Sequence, residues 1–183
     1  MKERQNILTE TVFRAAQGAA DAQGILYDQF SKAMYNICLR MAGNKMQAED
    51  LLHDCFMIAF KSLKQLKDAN AFPGWLRRIV VNECIKQSRY NFRFAEQIEI
   101  PDVAGEIDNN WWENISLEML NQEIKGLPDG CRQVFVLYVL EDFSHSDIAG
   151  KLGCTEGTSK SQYHRSRSLL RERITKKMEL QNG

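Results

Sequence analysis

Several kinds of chemistry are missing from this chain. No apolar run approaches the roughly 20 residues that a membrane span needs. The opening stretch MKERQNILTETVF has no secretory hydrophobic region. Both absences predict a cytoplasmic protein with no membrane insertion. The five cysteines, Cys38, Cys55, Cys84, Cys131 and Cys154, form no CxxC pair, and His53, His145 and His164 lack the spacing of zinc ligands. No metal and no cofactor are expected, and most of the thiols read as small buried hydrophobes. There is no Gly-rich phosphate loop and no nucleophile elbow, so no catalytic constellation argues for an enzyme. No internal repeat is visible. Convincing strands are missing too. IEI and VFVLYVL are the β-like runs, and the second, bounded by PDGCRQ and Glu141, reads as a buried helix.

Net charge is also absent, with 24 basic residues against 24 acidic ones. That balance alone argues against a nucleic-acid partner, but the distribution reverses the argument. Between residues 61 and 93 stand Lys61, Lys64, Lys67, Arg77, Arg78, Lys86, Arg89 and Arg93, opposed by Asp68 and Glu83. Between residues 95 and 124 there is no basic residue, while Glu96, Glu99, Asp102, Glu106, Asp108, Glu113, Glu118 and Glu123 are acidic. Basic residues exceed acidic ones again from Arg132 onward. The chain therefore runs basic, acidic, basic.

Helical periodicity fills most of what remains. Leu26, Phe30, Met34, Ile37, Cys38 and Met41 share one stripe, with Gly43 as a stop. Leu51, Leu52, Cys55, Phe56, Ala59, Leu63 and Leu66 share a second, with Glu49 and Asp50 expected in its first turn. A third helix opens near Pro73 and carries Trp75, Leu76, Ile79, Val80, Cys84 and Tyr90. The acidic stretch around Pro101 and Gly105 reads as a linker. The expected fold is all-α: a helical domain over residues 1–93, a linker over 94–110 and a second helical domain over 111–183.

Residues 141–174, EDFSHSDIAGKLGCTEGTSKSQYHRSRSLLRERI, carry the strongest local signal. Ser144 and Asp147 have the spacing of a capping box. Ile148, Ala149 and Leu152 form an inner face, Gly153 suits a left-handed stop, and Thr155 suits a second cap. Two helices joined by a tight turn with glycine make a helix-turn-helix. In the second helix Ser159, Tyr163, Ser166 and Leu170 would face the first. Lys160, Ser161, His164, Arg165 and Ser168 would then face outward, mixing cations for phosphate with groups that read base edges.

The chain resembles the extracytoplasmic-function (ECF) sigma factors, promoter-specificity subunits of bacterial RNA polymerase. AEDLLHDCFMIAFKSL is similar to the family's Ala-Glu-Asp helix, and FPGWLRRIVVNECIKQSR to its Trp-Leu-x-x-Ile-x-x-Asn helix. GLPDGCRQVFVLYVLEDFSHSDIAGKLGCTEGTSKSQYHRSR is similar to its Leu-Pro…Arg helix and the helix-turn-helix beyond. The resemblance implies docking on core polymerase, at the β′ clamp helices and the β flap, with Glu49, Asp50, Asp54 and Phe56 at the clamp. It implies minus-ten promoter contacts by Phe72, Trp75, Arg77, Arg78, Asn82, Lys86 and Arg89. It implies minus-thirty-five contacts by Thr158, Lys160, Ser161, His164, Arg165 and Arg167. It also implies an anti-sigma factor as partner. From the residues alone, Phe56 and Trp75 read equally well as core, and Glu49 as a helix-dipole partner. His53 stands in place of a usual Gln, Lys86 of an Asp, Ser159 of an apolar residue and Gln162 of an Arg. Ser159 is expected to weaken the packing of the second helix. The competing reading is a stand-alone helix-turn-helix regulator that binds its operator as a dimer. A small helical enzyme using Cys55 and His53 is a distant third.

Overall fold

A computed structural model describes residues 2–95 and 115–181. Residues 96–110 of the expected acidic linker lie outside the described residues. Among the described residues the elements are helical, with no strand. They are α1 (Lys2–Ala16), α2 (Ala20–Ala42), α3 (Lys45–Ser62), α4 (Phe72–Ala95), α5 (Leu117–Lys125), α6 (Asp129–Phe135), α7 (His145–Leu152) and α8 (Glu156–Gln181). The chain forms two compact units: Met1–Leu39 with Lys45–Cys84, and Arg40–Asn44 with Ile85–Gly183. Among the described residues no helix is long and apolar enough to cross a membrane.

The first unit follows the apolar stripes. Leu26, Met34, Ile37 and Cys38 of α2 are buried, as are Leu51, Leu52, Cys55, Phe56 and Ala59 of α3 and Leu76, Val80 and Cys84 of α4. Each large aliphatic side chain so buried contributes about 1.5–3 kcal/mol. Between α3 and α4 the chain makes two short 3₁₀ turns, Leu63–Gln65 and Ala69–Ala71. Asp68 caps the second by accepting from the Asn70 backbone N–H at 2.9 Å. Helix α1 packs over both turns, burying Val12 and Ala15. Cys38, Cys55 and Cys84 meet inside this unit. A hydrogen bond to Cys38, together with burial, holds the Cys55 thiol far above its usual range. Such a thiol stays protonated and unreactive.

One boundary departs from expectation. Helix α3 begins at Lys45, so its first turn holds no acid. Glu49 instead lies one turn in, 3.6 Å from Lys45. That placement removes the helix-dipole explanation for Glu49, because the dipole effect fades beyond the first turn.

In the second unit Ser116 caps α5, accepting from the Met119 N–H at 3.2 Å. The β-like run VFVLYVL is helical. It completes α6 and widens into a π turn over Val136–Leu140, where the Glu141 N–H reaches the Val136 carbonyl at 3.1 Å. Val134–Leu137 are fully buried, whereas Tyr138 and Val139 face outward. Arg132 is also buried. It donates to the Leu127 carbonyl at 2.9 Å and to Asp129 at 2.6 Å, which satisfies its charge inside the unit. Helix α8 packs on α5, α6 and α7. Leu170 and Ile174 anchor it, and an ion pair joins Lys177 to Glu123.

The helix-turn-helix is built as its residues dictate. The Ser144 Oγ accepts from the Asp147 N–H at 3.1 Å, and the Asp147 carboxylate accepts from the Ser144 N–H at 3.3 Å, closing a capping box. Gly153 ends α7 at φ +77°, in the left-handed region that a Cβ disfavours. Thr155 then caps α8, its Oγ1 accepting from the Thr158 N–H at 3.0 Å. Open space surrounds Gly153, so an added methyl group clashes with nothing and the cost is conformational. Gly153→Ala is therefore expected to lower unfolding free energy by about 1–2 kcal/mol. Urea denaturation checks this, and an unchanged midpoint would contradict it.

Candidate nucleic-acid interface

Helix α8 presents two faces. Ser159, Ser166, Leu170 and Ile174 are buried, and Tyr163 is half-buried beside them. Lys160 and His164 are exposed, and Ser161, Arg165 and Ser168 are half-exposed. At 100° per residue these five span about 140° of the helix surface, a width suited to a groove. Lys160 is held in place by Glu156 one turn earlier, at 2.7 Å. The same contact keeps the Glu156 carboxyl below its usual range. Ser161 and Ser168 donate back to the Thr158 and His164 carbonyls, at 3.0 and 3.3 Å. Gln162 turns inward and accepts from the Cys131 thiol at 3.0 Å. Burial pushes that thiol up to about 11.

Arg167 does not belong to the outward face. It is buried, with its guanidinium 5.6 Å from the centre of the Tyr163 ring. The reason is register: 163, 166, 167, 170 and 174 recur at three- and four-residue steps and share the inner stripe. Thr158 is half-buried and shares a hydrogen bond with Thr155 at 2.9 Å, so it serves the cap.

Helix α4 carries a second basic face. Arg77, Arg78, Asn82, Lys86 and Arg89 are all exposed, and Trp75 is half-buried. Trp75, Arg78, Asn82, Lys86 and Arg89 fall on one stripe, with Arg77 about 100° away. Phe72 departs from this group. It is fully buried, edge-on to Phe30 at 5.3 Å and 6.1 Å from Trp75. It shares its register with buried Leu76 and Val80, which makes it a core residue supporting Trp75 from beneath. Phe56 is likewise core, 4.7 Å from Tyr27 and 5.7 Å from Phe60. Around it Glu49, Asp50, His53 and Asp54 remain exposed.

His145 was not singled out by its sequence neighbourhood. Its ring stacks on Tyr138 at 4.3 Å and 11°, and its Nδ1 shares a hydrogen bond with Ser159 Oγ at 2.9 Å. Tyr163 lies against both rings, at 4.7 Å from Tyr138 and 5.7 Å from His145. The signal in the sequence was Ser159 itself, a hydroxyl at a buried register position, which needs a partner.

Among the described residues no group of three or more His, Cys, Asp or Glu could hold a metal ion. The outward faces of α4 and α8 offer cations, amide, hydroxyl and imidazole groups, and an aromatic edge. That inventory suits phosphate and bases. The Sigma-70 region 2 family matches residues 26–94, and the Sigma-70 region 4 family matches residues 117–170. The chain belongs to the sigma-70 family, in its ECF group. It is 28% identical over 183 residues to the ECF RNA polymerase sigma factor SigW of Bacillus subtilis, covering 92% of this chain and 97% of that one. It is 27% identical to SigE of Mycolicibacterium smegmatis and 29% identical to BldN of Streptomyces coelicolor, covering 87% and 90% of this chain. It spans 64% and 65% of those two relatives. The solved structure of the sigma factor RpoE from Bartonella quintana, in complex with the anti-sigma factor NepR, is similar at 23% identity and a TM-score of 0.48. The likeness covers 83% of this chain and 96% of that chain.

Acid should weaken the helix-turn-helix of this family member. Burial, then the Lys160 ammonium, hold His145 below its usual range, with Glu156 opposing and His164 reinforcing. The unfolded chain thus takes up this proton at a higher pH than the folded chain, and stability falls as pH drops below about 6.5. Asp147 and Glu156, held low by Ser144 and Lys160, add losses only at the carboxylate end of the scale. Thermal unfolding between pH 7.5 and 5 is expected to fall more steeply for the natural chain than for His145→Asn. Parallel slopes would contradict this.

Proposed function

We propose that the chain is an ECF sigma factor that binds core RNA polymerase and directs it to promoters. The match to region 2 and region 4 in one chain, in that order, carries this reading. A stand-alone regulator would use residues 144–173 and leave the region over 26–94 without a role. In the proposal residues 1–93 dock on the β′ clamp helices and open the minus-ten element. Residues 94–110 form an acidic linker, and residues 111–183 read the minus-thirty-five element and meet the β flap. The polymerase supplies the chemistry of synthesis, and this chain supplies recognition in the cytoplasm. Control by an anti-sigma factor fits two relatives of this kind, RpoE with NepR and BldN with RsbN.

The exposed acids on α3 are the proposed clamp contacts, with Asp50 central and Glu49 and Asp54 beside it. On α4, Trp75 and Asn82 would hold an unstacked base, and Arg78, Lys86 and Arg89 would hold backbone phosphate. On α8, Lys160 would neutralise phosphate, while Ser161, His164 and Arg165 would meet base edges. The test is run-off transcription with purified core polymerase and a promoter pool. Transcripts that start at defined sites only when this chain is added are expected, and none would contradict the proposal.

Two substitutions divide the roles. Asp50→Arg is expected to reduce capture of core polymerase at least tenfold while circular dichroism stays helical. Undiminished capture would remove Asp50 from the interface. Arg165→Ala in the holoenzyme is expected to relax minus-thirty-five preference by about 1–3 kcal/mol, the worth of one base-reading arginine. Asn82→Ala should leave initial binding intact and impair opening, because its partner is exposed only after the strands separate. Band shifts report the first effect, and permanganate footprinting on duplex and pre-melted DNA reports the second. Normal opening by Asn82→Ala would overturn the assignment.

A further inference from the structure

Ser159 occupies the first inward position of α8, fully buried, where the family pattern carries an apolar side chain. A bare hydroxyl there would lose apolar contact and strand a polar group. The hydroxyl is not stranded, because His145, the first residue of α7, meets it at 2.9 Å. The imidazole is in turn fixed on its face by Tyr138, which leaves the π turn after α6, and at its edge by Tyr163 of α8. Each ring comes from a different part of the unit, so the bond ties three segments together at one point.

We propose that His145 and Ser159 form a positioning pair that sets the rotation of α8 about its axis, and through it the promoter bases that Ser161, His164 and Arg165 can reach. Neither residue touches DNA in this account. The inference rests on the proposal that α8 reads the minus-thirty-five element. Its physical basis is the difference between apolar packing and a hydrogen bond. A valine in the same place would be held by shape and could turn by some degrees at small cost. A hydroxyl bonded to a stacked ring has a fixed direction as well as a fixed distance. Ser159 is one residue from Lys160 and two from Ser161. A rotation at this point therefore moves the outward face before it disturbs the Leu170 and Ile174 anchor, which lies three turns away.

The pair separates from a merely structural contact by what it does to sequence preference. His145→Phe keeps a ring to stack on Tyr138 and removes both ring nitrogens. His145→Asn removes the stack and keeps a donor and an acceptor near Nδ1. Ser159→Ala tests the other partner with the smallest change of volume. Each variant would be assembled with core polymerase and scored by sequencing the bound fraction of a promoter pool. The pool is built on one promoter recovered by run-off transcription and randomised across the upstream element. Circular dichroism at the same temperature confirms the folded fraction. The expected result is a loss of roughly fivefold or more in the ratio of matched to mismatched upstream elements for His145→Phe and Ser159→Ala. His145→Asn is expected to retain most of the ratio, and all variants should load equally on core polymerase. An unchanged ratio in His145→Phe and Ser159→Ala, or an equal loss in His145→Phe and His145→Asn, would overturn the proposal. If His145→Phe fails to fold, Ser159→Ala decides alone. Arg165→Ala serves as the control. If it alters the ratio while the pair variants do not, only the positioning role fails. If none alters it, α8 does not read that element.

Discussion

Helix α8 must be buried on one side without being apolar on that side. Its inner stripe begins with Ser159, passes Tyr163, Ser166 and Arg167, and becomes aliphatic only at Leu170 and Ile174. The aliphatic end supplies most of the burial energy. At the polar end Ser166 donates to the Tyr163 carbonyl at 2.6 Å, Ser159 meets His145, and the Arg167 guanidinium lies against the Tyr163 ring. Everything outward on this helix depends on that arrangement. The cations point away from a side on which both buried serine hydroxyls are hydrogen-bonded, and a stranded hydroxyl there would cost more than the net stability a single hydrogen bond provides.

The turn that precedes α8 obeys a stricter rule. Between Leu152 and Glu156 the chain must stop one helix and start another. Gly153 does the first by taking a positive φ, and Thr155 does the second by capping. The capping box at Ser144 fixes where α7 begins, so both ends of this short helix are set by side chains. A helix of eight residues has little intrinsic stability. Its caps and its three buried residues, Ile148, Ala149 and Leu152, account for its presence.

Much of this was legible in the residues. The stripes of α2 and α3, the capping box, the left-handed glycine and the two faces of α8 all follow from spacing and turn chemistry. The helical nature of VFVLYVL was also readable, since Cys131, Arg132 and Gln133 lead into it without a break. The residues that departed were ones placed at an interface by the resemblance and not by spacing. Phe56, Phe72 and Arg167 all share the register of a buried stripe, and they are buried with it. Helix α3 begins at Lys45, before its apolar stripe starts, because Lys45 and Met46 are tolerated in an exposed first turn. His145 and Ser159 are 14 residues apart on different helices. Their pairing needs the tertiary structure, although a hydroxyl at the buried register position of Ser159 requires a partner.

The division of labour between this chain and the polymerase is the central claim. It places the recognition surfaces on α4 and α8 and makes their use depend on a partner that supplies the catalytic site. Binding of a recovered promoter, measured with and without core polymerase at one salt concentration, tests it most directly. The account predicts sequence-specific binding only when core polymerase is present, with the free chain showing weak binding that does not distinguish the promoter from a scrambled duplex. Specific binding of the same promoter by the free chain, at an affinity that core polymerase does not improve, would contradict it.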